Sequence, residues 1–192
     1  MKMTPLNISI FVVASIVGLY LGFAYPLLAI LLLIPVVGFV AIIFMRNKSG
    51  AAADASALNE ALQFSAPANK SRIYVMRKGF VGGQQGMNIT VDGTLESQIR
   101  SKYFLMAEVE PGKHSVKAKM SSGSESAART HDVDVAAGEC VLLDMKLNMG
   151  ALQGTPDFTE ERDAAQAKQM LSGCKLILWK DAAREPATVS QR

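Results

Sequence analysis

Residues 113–120 read KHSVKAKM, and this segment decides the fold. Apolar and polar residues alternate along it, with Val116 and Met120 on one face and lysines on the other. Such alternation is typical of a strand that is buried on one side. Pro111 and Gly112 precede the segment and predict a turn, because proline presets its φ and glycine adopts a positive one. We therefore expect a half-buried strand that starts after this turn.

A second alternating segment, residues 130–136, mirrors the first. Val133 and Val135 form one face, and Asp132 and Asp134 form the other. If the two strands are neighbours, the row of lysines lies beside the row of aspartates, and opposite charges across a strand pair stabilise a sheet modestly. The two segments together predict an antiparallel sheet with one apolar face.

Further short strands and turn signals continue on both sides of this pair. The other predicted strands cover residues 72–76, 88–91, 94–99, 103–110 and 139–149. Many short strands separated by turns are typical of an all-β sandwich or barrel. We therefore predict a mainly-β domain at residues 71–179 that folds as an antiparallel β-sandwich.

The end of the predicted domain contains one helix. Thr159 is a good N-cap, and the two glutamates after it favour the positive end of a helix dipole. The helix is expected to run to about Ser172 and to end at Gly173, because glycine often follows the last helical residue. Residues 174–179 then predict a last strand, and residues 180–192 predict a disordered tail.

The N-terminal part of the chain is apolar. Residues 8–45 contain no charged side chain. As one helix this run would be roughly 57 Å long, whereas a bilayer core is about 30 Å thick and about 20 residues cross it. Residues 1–46 are therefore predicted to form a transmembrane helical hairpin, with helices at about residues 7–24 and 27–45 and a break before Pro26.

Positive charges flank this segment. Lys2, Arg46 and Lys48 lie there without an acidic residue, and positive flanks tend to stay in the cytoplasm. This favours a cytoplasmic soluble domain, but a periplasmic one stays open because the inter-helix turn carries no charge for comparison. The competing interpretation is a removed secretory signal, whose apolar core has about 7 to 15 residues before a small-residue cleavage site. This run is much longer and no such site follows it, so we expect the segment to be retained.

Small residues form a stripe on the first predicted helix. Ala14, Gly18 and Gly22 are spaced by four residues, and small side chains let helix backbones approach closely in lipid. The simpler interpretation is packing against the second helix of the hairpin. The alternative is a docking face for another membrane protein.

Between the apolar segment and the strands, residues 47–70 are rich in Ala, Ser and Asn. This composition predicts a flexible linker between the two parts of the chain. Within it, Leu58 and Leu62 would share one face of a helix, which favours a short helix over residues 55–64.

Four glycines, Gly79, Gly82, Gly83 and Gly86, follow the first strand, with Phe80 among them. A Walker-type phosphate loop needs Lys and then Ser or Thr after its last glycine, and a dinucleotide fingerprint needs a helix there. Here another predicted strand follows the last glycine. We therefore predict a plain loop between strands, which could contact a partner.

Candidate catalytic and metal-binding residues are few. His114 and His131 share the apolar faces of the two alternating strands, but the nearby aspartates point to the opposite face, so no third zinc ligand is evident. No nucleophile motif such as G-x-S-x-G occurs, and we expect neither an enzyme nor a bound cofactor or metal. The formal net charge of +3 is not gathered into a basic block, which argues against nucleic-acid binding.

The two cysteines, Cys140 and Cys174, are too far apart in the sequence for a CxxC motif. In the periplasm they could form a disulfide that closes a loop of about 34 residues. In the cytosol they would be free, half-buried thiols. The sequence leaves both options open.

Five segments resemble a known family: RIYVMRKG from residue 72, NITVDGT from residue 88, YFLMAEVEPGKHSVKAKM from residue 103, DVDVAAGECVLLDM from residue 132 and LSGCKL from residue 171. In this order they resemble the bacterial DUF2846 family, a domain of unknown function, over about residues 72–178. The resemblance implies a small β-sandwich of envelope proteins, often lipoproteins, and no established reaction. The chain departs from the usual form, because an apolar segment stands in place of a lipid-attachment cysteine.

Together, these features favour a membrane-anchored, non-catalytic β-sandwich of the bacterial inner membrane that serves as a binding or accessory subunit of an envelope protein complex. The expected partners are membrane lipid, other membrane or envelope proteins and, as a further option, a second copy of the chain. The alternative is a module that binds envelope polysaccharide or lipid. Its candidate aromatic contacts are Trp179, Tyr74, Tyr103, Phe80 and Phe104.

Overall fold

The chain divides into two units between Met45 and Arg46. The larger of the two contains strands in two sheets. The computed structural model describes residues 13, 15–18, 20, 22–46, 50–79, 83, 85–149 and 154–180. The predicted disordered tail lies outside these residues except for Lys180.

The first unit is helical. Every described residue from 13 to 24 is in a helix, Tyr25 is not, and helix α1 covers Pro26–Arg46. A helix readily starts at proline, because the first helical N–H has no partner within the helix. In the residues that the structure describes, no helix is both long enough and apolar enough for a membrane span. The predicted transmembrane hairpin is therefore not found in the structure.

The second unit begins with a helix and continues with strands. Its helices are α2, Ala55–Leu62, a short 3-10 helix, Glu125–Ala127, and α3, Ala164–Leu171. Its strands are β1 Ser71–Arg77, β2 Met87–Val91, β3 Leu95–Ile99, β4 Tyr103–Val109, β5 Gly112–Met120, β6 Arg129–Val135, β7 Cys140–Met149, β8 Gly154–Glu161 and β9 Lys175–Leu176. The prediction of a mainly-β domain with a C-terminal helix is confirmed.

The strands are arranged in two sheets, with the orders β8-β7-β1-β4-β9 and β3-β2-β5-β6. β5 and β6 are antiparallel neighbours, with Lys113 opposite Asp134 and Ser115 opposite Asp132. The two alternating segments of the sequence therefore pair as predicted, and the lysine row lies beside the aspartate row.

The first sheet is mixed, whereas an antiparallel sandwich was expected. β1 runs parallel to β7, with Arg72 opposite Cys140, and β4 runs parallel to β9, with Tyr103 opposite Lys175. The reason is the connection. The chain leaves β1, forms β2 and β3 of the second sheet and returns antiparallel to the first sheet as β4. It then forms β5 and β6 of the second sheet and enters β7 from the end at which β1 began.

The main core lies between the two sheets. Alternate residues of β5, namely Val116, Ala118 and Met120, are buried there against residues of the first sheet such as Ile73 and Val75. The alternation read from the sequence thus identifies the buried face of the strand that decides the fold.

A second core covers the opposite face of the first sheet. Helices α2 and α3 lie on it, and Phe64 and Leu171 pack with Tyr74, Phe104 and Leu142 of the sheet. The first sheet is therefore buried on both faces. This explains why all residues of its central strand, β1, are buried.

From residue 50 onward, the segment that was predicted to be a flexible linker is ordered. Helix α2 confirms the short helix expected there, and Asp54 caps it by accepting the Ala57 N–H at 2.7 Å. The guanidinium of Arg72 then joins the segment to the sheet, because it forms ion pairs with Glu60 of α2 and Glu108 of β4. The composition of this segment predicted a flexible linker, yet its small residues fit closely against the apolar face of the sheet.

Residues 50–53 close one side of the sandwich. The Ala53 N–H donates to the Leu176 carbonyl at 3.0 Å, and the Gly50 N–H donates to the Gln98 carbonyl at 3.4 Å. These bonds connect the last strand of the first sheet with β3 of the second sheet. Residues 50–53 thus form a strand-like bridge between the two sheets.

The C-terminal helix starts later than predicted. Thr159 lies in β8, opposite Asp144, and the N-cap is Asp163, whose carboxylate accepts the Gln166 N–H at 2.8 Å. The strand continues because β8 has β7 to pair with, which outweighs the local capping signal. Gly173 has a φ of +77° and follows the helix end as predicted.

A substitution at Gly50 tests the bridge. A Cβ there would lie 2.6 Å from the Leu178 carbonyl oxygen and 2.8 Å from Ser97 Oγ. Because the first of these is backbone, we expect Gly50→Ala to lower the free energy of unfolding by roughly 1–3 kcal/mol, as overpacking does. Urea denaturation measures this loss.

The matched control is Gly79→Ala, because a Cβ at Gly79 would meet no described atom within 4 Å. Its stability should stay within about 0.5 kcal/mol of the unsubstituted protein. Equal stability of the two variants would show that residues 50–53 do not pack as the structure has them.

Candidate functional site

A hydrogen-bonded histidine joins two turns at one end of the second sheet. His114 Nδ1 lies 2.6 Å from Asp92 Oδ2, and its Nε2 lies 2.7 Å from the Glu110 carbonyl oxygen. Asp92 Oδ1 also accepts the Ser115 N–H at 2.8 Å. Both ring nitrogens of His114 therefore face groups that only accept, so the ring fits this position best as the doubly protonated imidazolium.

The opposite charges of His114 and Asp92 stabilise each other. Burial lowers the pKa of His114, but the hydrogen bonds to Asp92 and to the Glu110 carbonyl raise it by more, so the net pKa is raised. Burial likewise raises the pKa of Asp92, whereas the bonds from Ser115 and His114 bring it below its ordinary value. The cluster is an ion pair that fixes the β2–β3 turn against the start of β5.

An open cleft of about 500 Å³ lies beside this cluster. Its lining residues are Asp92, Lys113, His114, Ser115, Asp132, Val133 and Asp134. Within the described parts of the chain, no group of three or more His, Cys, Asp or Glu side chains is placed to hold a metal ion. Since His114 uses both nitrogens in the ion pair and the carbonyl contact, it has no free atom to act as a general base.

The second histidine belongs to a different network, between the edges of the two sheets. His131 Nε2 lies 2.7 Å from Glu160 Oε1, and Arg162 forms ion pairs with Glu160 and Glu139. Arg162 also donates to the Asp134 carbonyl at 3.1 Å. This network links β6 to β8 and so holds the two sheets together on the side opposite residues 50–53.

The two histidines do not form one site. A smaller cleft of about 270 Å³ contains His131, Asp157 and Phe158 but not His114. Each of the two clefts thus contains one histidine. Each histidine has its own carboxylate partner.

The glycine loop is followed by β2 and not by a helix, so the prediction of strand, loop and strand is confirmed. Phe80 and Gly82 lie outside the described residues. Gly83 accepts the Ser101 N–H at 3.1 Å through its carbonyl, and the Gly86 carbonyl accepts the Ser121 N–H at 2.9 Å. The described end of the loop is therefore bound to two neighbouring turns.

Arg77 is the residue that sequence reasoning missed. It is 1% exposed, and its Nη1 donates to the Gln85 carbonyl at 2.7 Å. Burial lowers its pKa. The signal was present in the sequence, because Arg77 continues the alternation of Ile73 and Val75 and must point into the sandwich.

Cys140 and Cys174 are free thiols, and the possible disulfide is not formed. The strand pairings place Cys140 next to Arg72, whereas Cys174 lies at the Arg77 end of the same strand. These ends are roughly 17 Å apart at about 3.3 Å per residue, and a disulfide needs Cα atoms within about 7 Å. Burial raises the pKa of both thiols.

The structure describes two of the three small residues on the first predicted helix, Gly18 and Gly22. Ala14 lies outside the described residues. A Cβ at Gly18 or Gly22 would meet no described atom within 4 Å. The simpler interpretation, in which the two glycines pack closely against the second helix, therefore receives no support from the described residues.

The aromatic candidates for carbohydrate contact are mostly inside the protein. Tyr74, Phe104 and Trp179 are buried, and the Trp179 indole N–H donates to the Met106 carbonyl at 2.8 Å. Tyr103 packs against the main core. These rings stabilise the fold and do not line a cleft.

A family model described as "Protein of unknown function (DUF2846)" matches residues 67–155. Over these residues the chain is similar to the DUF2846 family. The resemblance seen in the sequence is thereby confirmed, and the match covers β1 to β7 and the first residues of β8. The curated proteins contain no match to the chain. The description of the family specifies no reaction.

The His114 cluster makes the stability of the β-domain depend on pH. Because the folded-state pKa of His114 is raised above 6.5, its stabilisation is complete below the unfolded pKa and is lost as pH rises through the folded pKa. Replacing His114 by Gln should cost roughly 1–2 kcal/mol at low pH, as a charged hydrogen bond does, and less at high pH. Urea denaturation across the pH range measures this difference.

Asp92→Asn is the matched variant, because an asparagine keeps the turn but removes the charge. The His114 ring signal in NMR should then titrate at lower pH than in the unsubstituted protein. A titration midpoint that is unchanged by this substitution would contradict the ion pair.

Proposed function

We propose that the chain is a membrane-anchored, non-catalytic binding or accessory subunit of a bacterial envelope protein complex. The observation that carries this proposal is the position of its exposed apolar surface. Among the described residues, the large hydrophobic side chains that are exposed lie between Val13 and Met45, with Phe23 at 87% and Leu27 at 82%. Contiguous apolar surface of this kind is typical of contact with lipid or with another protein.

The sequence supports an attachment in lipid. Residues 8–45 contain no charged side chain, and basic residues flank them, as in segments that stay in a membrane with their positive ends inside. A two-pass arrangement in the inner membrane with a cytoplasmic domain follows from the same charges. The alternative is a periplasmic domain, which a labelling experiment would distinguish from a cytoplasmic one.

The polar clusters of the domain have structural partners, which is compatible with the proposed binding role. The clusters around His114 and Arg162 are used for ion pairs between strands and turns. Catalysis needs a nucleophile or base with a free atom and an oriented partner, and the described clefts offer no such arrangement. The proposed partners are membrane or envelope proteins, with a second copy of the chain as a further option.

A charged residue in the middle of α1 tests the anchor. Ile34 is exposed in the structure, so Ile34→Lys should not disturb the fold in water. In lipid it should cost about 3 kcal/mol and release part of the protein from membranes during alkaline carbonate extraction. Met45→Lys is the matched control, since a lysine at the helix end can extend its amine to the interface. Equal retention of both variants, or release of the unsubstituted protein, would contradict a lipid anchor.

Purification in mild detergent tests the accessory role. The full chain, expressed at its native level, should elute in a complex with another envelope protein at a constant ratio across the peak. The Ile34→Lys variant should lose this partner if the complex forms in the membrane. A strictly solitary monomer would contradict the proposed role, even if the anchor is confirmed.

A further inference from the structure

Lysines in the β-domain fall into two groups. Five of them have a carboxylate within 4 Å: Lys70, Lys117, Lys119, Lys146 and Lys180. The others in the described part of the domain form no such pair; they are Lys78, Lys102, Lys113, Lys168 and Lys175. Four of these unpaired lysines, all but Lys113, lie at one corner of the domain, which we call the lysine corner.

The fold brings the four residues of the lysine corner together from different elements. Lys78 follows β1, and its Nζ donates to the Met170 carbonyl of α3 at 3.2 Å. The Lys102 N–H donates to the Arg77 carbonyl at 2.7 Å, and the Lys175 N–H donates to the Lys102 carbonyl at 2.9 Å. Lys168 is in the last turn of α3. All four lysines are exposed.

Local structural roles account for only part of this cluster. Lys78 satisfies a carbonyl at the end of α3, and Lys168 interacts favourably with the helix dipole. Lys102 and Lys175 do neither, because Lys102 lies in the turn before β4 and Lys175 begins β9. Two positive charges placed side by side without a counter-charge repel each other, so their position favours an external anion.

A buried acidic group beside the corner does not neutralise it. Asp144 interacts electrostatically with Lys78 and with the Cys174 thiol, but it already pairs with Lys146, is only 8% exposed, and its Oδ1 has no hydrogen-bond partner. Burial raises the pKa of Asp144. A molecule that approaches from solvent therefore meets the amines first.

Acidic residues are concentrated at the other end of the strands. Glu108 pairs with Arg72 at the start of β1, Glu110 follows β4, and Glu139 precedes β7. Asp134 lies near the same end of β6, where Arg162 bonds to its carbonyl. Glu108, Glu110 and Glu139 are paired with Arg72, Lys70 and Arg162 at this end. The basic charge there is therefore offset by carboxylates, whereas the four amines of the lysine corner have no paired carboxylate in the described part of the domain.

We propose that the lysine corner docks the β-domain onto an anionic lipid surface. Lysines are mobile point charges, whereas a specific phosphate or carboxylate site usually uses the planar fork of arginine. Four lysines spread over a corner suit a diffuse layer of headgroups, and each would change the binding equilibrium about fivefold. The inference rests on the proposed membrane attachment and adds a second, electrostatic contact to it.

The test compares lysine reactivity in two membranes. The full chain is placed in nanodiscs of phosphatidylcholine alone or mixed with phosphatidylglycerol, treated with an amine-acetylating reagent and analysed by mass spectrometry. Lys78, Lys102, Lys168 and Lys175 should react several-fold more slowly in the anionic discs, whereas Lys113 should react equally in both. Salt at about 1 M, where the Debye length is ~3 Å, should remove the difference.

A charge variant checks that the four lysines act together. In Lys102→Gln/Lys175→Gln, the protection of Lys78 and Lys168 by anionic lipid should fall, and Lys113→Gln should leave it unchanged. Equal reaction rates in the two membranes would overturn the proposal. So would protection of the same lysines by soluble polyglutamate or inorganic phosphate in neutral discs, because the corner would then bind a different anion.

Failure of the anchor gives a different result. If the protein does not enter the discs, the proposed attachment fails, and the same reactivity comparison with added vesicles of the two compositions still decides the docking. If the protein enters the discs and its four lysines stay equally reactive, the docking alone is wrong.

Discussion

Burial of β1 on both faces is the constraint on which the rest of the domain depends. One face of this strand contributes Ile73 and Val75 to the core between the sheets, and the other contributes Tyr74 to the core under the helices. The second sheet covers one face of β1, and helices α2 and α3 cover the other. The parallel pairing with β7 and the antiparallel pairing with β4 place β1 at the centre of the first sheet.

Two buried arginines, Arg72 and Arg77, lie at the ends of this central strand. Arg72 holds α2 through Glu60, and Arg77 holds the end of the glycine loop through the Gln85 carbonyl. Removing a charge from water is costly unless partners replace the water, so each arginine requires the segment that supplies its acceptors. The strand therefore specifies the position of the N-terminal segment and of the loop as well as the sheet.

Sequence reasoning succeeded where a pattern was local and failed where a partner was distant. The alternation at residues 113–120 predicts its strand, face and neighbour, because a period of two directly reflects the geometry of a half-buried strand. The parallel register of β7 has no local signal. Thr159 shows the same limit, since its capping signal is real but pairing with β7 extends the strand past it. His114 shows success and failure together. The alternation placed it on the apolar face of its strand, whereas its contact with Asp92 joins distant residues and had no local signal.

The ordered segment from residue 50 changes what the connection between the two units can do. A flexible linker would let a domain sample many positions and contribute mainly to effective concentration. Here Gly50 already belongs to the sandwich, since its N–H bonds to the Gln98 carbonyl, and residues 47–49 alone separate it from the end of α1. The same small residues that made this segment look mobile are what allow it to lie so close to the backbone of its neighbours.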